Sequence, residues 1–310
     1  LISVLRTLIR CSQAKMKKQI PGTYPDKMTR AGAYLSGLLE ATGKPVLTPF
    51  DFFRLIWRMY RDSADEKLYL RHETRLRLGL KHAGVIGADR DYGARIIRVL
   101  TVSDMSAENI VCLVDPTCYV SHLSAMQRWG FTDRSPDALI LTRPDRKTAQ
   151  AFLRIYMDRV LLETEDNPFP LRIIKHPARV RRRKVHVYES TTAGAYVKNR
   201  SDEVRISTIG QTFLDMLQKP DLCGGMSHVL DVWEEHAAIH LEDIIDAVDT
   251  ATSNLVKSRA GYILDERLGL RHEGIERWKA FGQRGSSRKL DPSKEFASRF
   301  SETWMISLNV

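Results

Sequence analysis

Five residues around the outer side of one helical segment, Arg71, Thr74, Arg75, Arg77 and Lys81, combine three ways of meeting duplex DNA. Arginine can grip a guanine edge with two hydrogen bonds, threonine can meet a thymine methyl, and lysine can neutralise a phosphate. Arg54 before this segment, and Arg90, Tyr92 and Arg95 after it, can hold phosphates on either side and set the register. A second basic run, Arg179, Arg181, Arg182, Arg183 and Lys184, is a candidate further patch. Its residue types fit a solvated face, a nucleic-acid contact or a partner surface.

Other groups invite chemistry less strongly. Ser121-His122 suggests a hydrolase pair, but adjacent helical residues point apart and no G-x-S-x-G turn is present. A helix-capping serine and a packed histidine are expected instead. Asp243, Asp246 and Asp249, with Glu242, recur at helical spacing; such a stripe reads as a solvated or partner-binding face before it reads as a metal site. His236 and His240 follow Glu234 and Glu235 in the order E-E-H-x-x-x-H, not H-E-x-x-H, with a helix end expected between the two histidines. The cysteines, Cys11, Cys112, Cys118 and Cys223, contain no C-x-x-C pair. Neither the Cys112–Cys118 spacing nor His122 after it completes a common zinc pattern. Reduced, buried thiols are expected, with no metal, no cofactor and no catalytic group. A binding protein is favoured over an enzyme.

These residues need elements to carry them. Thr29 opens an amphipathic helix that Gly43 stops, and Thr48-Pro49 opens a second. Leu68 to Leu70 reads as a short extended piece and residues 72–83 as a basic helix ended by Gly84. Val85 to Ala88 and Ile96 to Val102 read as strands joined by a turn at Asp89 to Gly93. Helix, turn, basic helix and hairpin is the order of a winged helix-turn-helix. Beyond Ser106, helices alternate with strands, including Ala138 to Thr142, Leu171 to Lys175, Val185 to Tyr188 and Val204 to Ile206. Residues 147–157 are ambiguous. From residue 208 onward helices dominate, and Trp304 to Leu308 reads as a last strand. The expected fold class is α+β: a flexible tail over 1–28, a winged helix-turn-helix over 29–105, and a larger mixed α/β domain over 106–310.

Composition agrees. The 310 residues are 43% hydrophobic and 28% charged, which fits two globular domains. The net charge of +10 is uneven: +8 over residues 1–110, −1 over 111–171, +7 over 172–205 and −4 over 206–310. A basic start joined to a mildly acidic end fits a nucleic-acid module fused to a second function. No apolar run approaches a membrane span, and the apolar start, broken by Arg6, lacks a small-residue cleavage site. A cytoplasmic protein without membrane contact is expected.

Four segments carry a family resemblance. They are Tyr119 to Gly130 (YVSHLSAMQRWG), Ser207 to Asp215 (STIGQTFLD) with Pro220 and Gly224-Gly225 following, Arg259 to Asp265 (RAGYILD), and Ser287 to Pro292 (SRKLDP) with the closing Trp304 to Asn309. In this order the chain resembles the AbiEi-type antitoxins over roughly residues 45–310. It departs from them at Ile209-Gly210-Gln211, where an acidic-Arg pair is usual before Thr212, and at Ala260, where leucine is common. The resemblance implies a type IV toxin–antitoxin or phage-defence regulator. Its winged helix would repress its own promoter, and its second domain would counteract a cognate nucleotidyltransferase-like toxin. Two other readings compete: a DNA-targeted enzyme such as a metal-dependent nuclease, and a ligand-responsive regulator without a toxin.

Overall fold

Residues 29–60, 68–161, 169–192, 194–199, 201–282 and 288–310 are described by a computed structural model. The expected tail over 1–28 lies outside the described residues, as does the side chain of Arg71. Thr29 caps helix α1 (Arg30–Ala41) by accepting from the Gly32 amide at 3.2 Å. Leu35 and Leu39, one turn apart, go to the interior. Strand β1 (Val46–Leu47) leads into α2 (Pro49–Tyr60), whose start is fixed by Thr48 accepting from the Asp51 amide at 3.0 Å. Helix α3 spans Leu68–His82, so residues 68–70 belong to its first turn and are not extended as expected. Three apolar-aromatic residues are too few to show a period. The hairpin of β2 (Ile86–Asp89) and β3 (Gly93–Val99) completes this part, with β3 paired to β2 on one side and β1 on the other.

Ser106 caps α4 (Ala107–Val114), which covers a six-stranded mixed sheet. In spatial order its strands are β6 (Arg179–Val180), β7 (Arg183–Ser190), β5 (Leu139–Pro144), β4 (Tyr119–Val120), β9 (Arg205–Ser207) and β8 (Tyr196–Lys198). β5 runs parallel to β7 and β4 parallel to β9; the other pairs are antiparallel. Helix α5 (His122–Trp129) ends at Gly130, whose φ of 76° supplies the left-handed cap. Residues 147–157, ambiguous in sequence, belong to helix α6 (Arg146–Leu161). Leu171 to Lys175 is irregular rather than a strand. Side chains take up its backbone groups: the Leu171 amide meets the Met157 sulfur at 3.1 Å, and the Ile174 carbonyl accepts from Arg143 at 3.2 Å.

A helical region follows, of α7 (Ile209–Gln218), a 3₁₀ turn at Pro220–Cys223, α8 (Met226–His236), α9 (Leu241–Thr250), α10 (Asn254–Gly261) and α11 (Glu273–Lys279). Helix α10 widens into a π-turn over Tyr262–Arg267. Gly261 is required at the junction, because a Cβ there would lie 2.0 Å from the Trp304 ring. Strands β10 (Phe300–Ser301) and β11 (Ile306–Ser307) close the region over Trp233, Trp278 and Trp304, all fully buried. The chain is thus a mixed α+β protein.

The cores cross the expected boundary at 105/106. Leu153 of α6 and Leu171 enter the core of α1 to α3, while Val46, Tyr92 and Ile96 enter the core beneath the six-stranded sheet. Among the described residues, no helix is long and apolar enough to cross a membrane.

Candidate nucleic-acid interface

Helix α3 buries Leu76 and Leu80 and leaves Thr74, Arg75, Arg77 and Lys81 exposed. Its polarity follows from this spacing, since the inward leucines sit one turn apart. Glu73 is buried beside this face and takes Arg77 at 3.3 Å and the Thr74 hydroxyl at 3.2 Å. Arg75 and Lys81 have no ion-pair partner among the described residues. Among the described residues the face therefore keeps two uncommitted cations and a third held by one turn of helix. Arg54 is less available than its type suggests: it is half-buried on α2 and lies 3.6 Å from Asp51.

The hairpin tip corrects two expectations. Tyr92 does not project toward a phosphate; it is 2% exposed, with its hydroxyl 2.7 Å from His176 Nδ1. The turn aims it inward because Asp89 Oδ1 accepts from the Asp91 and Tyr92 amides, at 3.0 and 3.1 Å. Arg181 is not a surface cation either. Its side chain, 5% exposed, donates to Asp89 Oδ2 at 2.7 Å, to Asp104 at 3.0 Å and to Asp91. Arg181 and Arg182 turn the β6–β7 hairpin with φ of 49° and 69°, which delivers this guanidinium to the carboxylates. Burial alone would raise the Asp89 carboxyl, but hydrogen bonds from Arg181 and the two amides outweigh it and hold its pKa below the ordinary carboxylate range. Arg183 is also engaged, donating to Glu108 at 2.8 Å. Arg90 stays exposed while pairing with Asp104 at 3.1 Å, and exposed Arg95 donates to the Tyr92 carbonyl at 3.3 Å. Of the second basic patch, Arg179, Arg182 and Lys184 remain on the surface.

The fold gathers cations that the sequence did not single out. Arg143, Arg146, Arg154, Arg172 and Lys175 line a cleft of about 970 Å³ between α6 and the 171–175 segment, with Glu189 as the one carboxylate among the described residues. Arg172 and Lys175 also line the adjoining pocket that reaches Arg95. A basic path therefore runs from β3 onto α6. The +7 charge of residues 172–205 was the signal for Arg172 and Lys175; the ambiguity of α6 hid Arg146 and Arg154.

Other candidates fall into place as structural groups. Ser121 makes no side-chain cap, and it does pair with its neighbour: the His122 Nδ1 lies 2.9 Å from its hydroxyl. The side-chain directions of a regular helix do not hold here, because Ser121 is extended and His122 has a φ of 51°. The pair is buried, Ser121 also accepts from Thr142 at 2.8 Å, and burial pushes His122 down to about 3. A histidine so weakly basic is a poor general base near neutral pH. His236 and His240 both pack on the Phe131 ring, at 5.0 and 5.5 Å. Asp243 and Asp246 are exposed, while Asp249 bonds the Trp278 indole at 2.6 Å and Arg277 at 2.7 Å.

Cys112, Cys118 and Cys223 are buried free thiols, and Cys11 lies outside the described residues. Cys118 has company that the sequence did not reveal. Asp115, Cys118 and His176 bring one potential ligand atom each to within 4.8 Å of one another. His176 sits in a distant segment, so no local spacing could announce it. Compared with models of known protein families and with curated proteins, the chain gives no match.

Proposed function

We propose that this protein is a sequence-specific DNA-binding repressor that regulates its own operon and acts as the antitoxin of a type IV toxin–antitoxin pair. The observation that carries the DNA reading is the outer face of α3, where Arg75 and Lys81 stand exposed, without carboxylate partners among the described residues, beside Thr74 and Arg77. In the winged-helix reading, α3 enters the major groove, and Arg90, Arg95, Arg172 and Lys175 line the neighbouring phosphates. Tyr92 and Arg181 take no part.

The antitoxin reading rests on the resemblance to AbiEi-type proteins, and the packing of the resembling segments supports it. The Trp129 indole donates to the Ser207 carbonyl at 2.9 Å. Arg259 donates to the carbonyls of Leu217 at 2.8 Å and Lys289 at 3.0 Å. The segments therefore build one continuous body, as a partner-binding unit requires. The reading is of a cytoplasmic binding protein rather than an enzyme, supported by the closed, weakly basic Ser121–His122 pair.

The test is fluorescence anisotropy of the full chain on its own upstream DNA across a salt series. Specific binding should lose about tenfold or more in affinity as salt rises from 50 to 200 mM. Equal affinity for the upstream DNA and a scrambled duplex would sink the repressor reading. Co-expression with a neighbouring nucleotidyltransferase-like gene product tests the antitoxin half: growth should be rescued by this chain and not by its α3 region alone.

A further inference from the structure

We propose that Asp115, Cys118 and His176 form a buried site for one zinc ion, which pins the hairpin of β2 and β3 to the second domain. The three ligand atoms lie within 4.8 Å of one another, and no other group of three such residues among those described does so. A carboxylate oxygen, a thiolate and an imidazole nitrogen are a zinc donor set. Together the carboxylate and thiolate supply the two negative charges that cancel a divalent cation in a dry site.

Two unsatisfied atoms point to the ion. The side chains of Asp115 and His176 are 1% and 2% exposed, yet Asp115 Oδ2 and His176 Nε2 have no hydrogen-bond partner and face each other at 3.4 Å. A buried polar atom left unpaired is costly, and both would be satisfied by a shared metal. Their outer atoms are already held as metal ligands usually are. The Tyr92 hydroxyl lies 2.7 Å from His176 Nδ1, which leaves Nε2 directed at the cluster. Asp115 Oδ1 accepts from the Thr117 amide at 2.9 Å and its hydroxyl at 2.6 Å, which leaves Oδ2 turned toward His176 Nε2. Arg143 approaches Oδ2 only to 3.7 Å, and its guanidinium is committed to Glu189 at 2.5 Å and the Ile174 carbonyl at 3.2 Å. Asp115 and Cys118 lie on the α4–β4 connection, whereas His176 grips Tyr92 of the hairpin. The ion would therefore fix where the hairpin points.

The full chain, produced with zinc and desalted under reducing conditions, should carry about one zinc per chain by elemental mass spectrometry. Chelation should lower its thermal midpoint, and zinc, but not magnesium, should restore it. His176→Gln and Asp115→Asn should each lower zinc affinity by about tenfold or more. Should those variants fail to fold, cobalt titration of the unmodified chain decides: a thiolate-to-cobalt absorption band is expected. A folded chain that takes up neither zinc nor cobalt, or variants that fold and keep full zinc, would overturn the proposal and leave a metal-free Asp115–His176 ion pair.

Discussion

Helix α3 and the β6–β7 hairpin are both arginine-rich, and their cations have opposite surroundings. On α3, Arg75 and Lys81 are exposed, and the buried Glu73 is already occupied by Arg77. On the hairpin, Arg181 is enclosed by Asp89, Asp91 and Asp104, and Arg183 is taken by Glu108. An uncommitted arginine keeps its donors for a ligand, whereas an enclosed one spends them on the fold. Arg181 therefore works as a fastener between the two parts of the molecule, while Arg179, Arg182 and Lys184 of the same run stay on the surface. Arg75 and Lys81, with no ion-pair partner among the described residues, are the cations free to recognise something else.

Removing the fastener should have the largest effect. Arg181→Ala leaves the buried Asp89 carboxylate unpaired beside Asp91 and Asp104 and should cost about 3–5 kcal/mol in unfolding by chemical denaturation. Arg181→Lys should recover little of it, since an ammonium cannot serve three carboxylates in a planar fork. A cost no greater than that of an exposed pair would erase the contrast.

Arg75→Ala should do the reverse. Its denaturation midpoint should stay where it was, while affinity for the cognate duplex falls by about 1–3 kcal/mol, roughly 5- to 150-fold, in an anisotropy titration. A loss of stability with unchanged DNA affinity would make α3 the structural element and break the comparison from its other side.

The enclosure should also be visible in pH. The Asp89 carboxyl is held below its unfolded value, so its stabilisation is complete above the ordinary carboxylate range and is lost as pH falls through the lowered folded value. Stability should therefore drop on acidification in the parent chain. Asp89→Asn, less stable throughout, should show a shallower drop when unfolding is followed from pH 7 to about 3. Parallel curves would mean that Asp89 does not carry the acid sensitivity.

The smallest expected effect is on salt dependence. Lys81→Ala and Lys175→Ala should each lower the slope of log affinity against log salt by about one, and weaken cognate and scrambled DNA alike. An unchanged slope for Lys175→Ala would confine the interface to α3 and the hairpin.

Much of the local structure was legible along the chain. Thr29, Thr48 and Ser106 cap the helices they were expected to open or precede, and Leu76 and Leu80 face inward, because caps and helical periodicity act over a few neighbouring residues. Leu171 to Lys175 is not the expected strand because an apolar segment signals burial, not pairing: Leu171 and Ile173 do pack into the core of α1 to α3, but among the described residues no strand takes up their backbone. Ser121-His122 was misread because one residue with positive φ undoes the directions that a regular helix imposes.

By itself, then, the sequence determined an α+β chain with a basic helix whose apolar stripe forces Arg75, Arg77 and Lys81 outward. Which cations stay free was decided only in three dimensions. Arg181 meets Asp89 and Asp91 across some ninety positions of chain, Tyr92 meets His176 across eighty-four, and Arg95 joins Arg172 and Lys175 beside one pocket. Charge pairing and desolvation depend on distance in space, and sequence separation carries no information about that distance until the cores have closed.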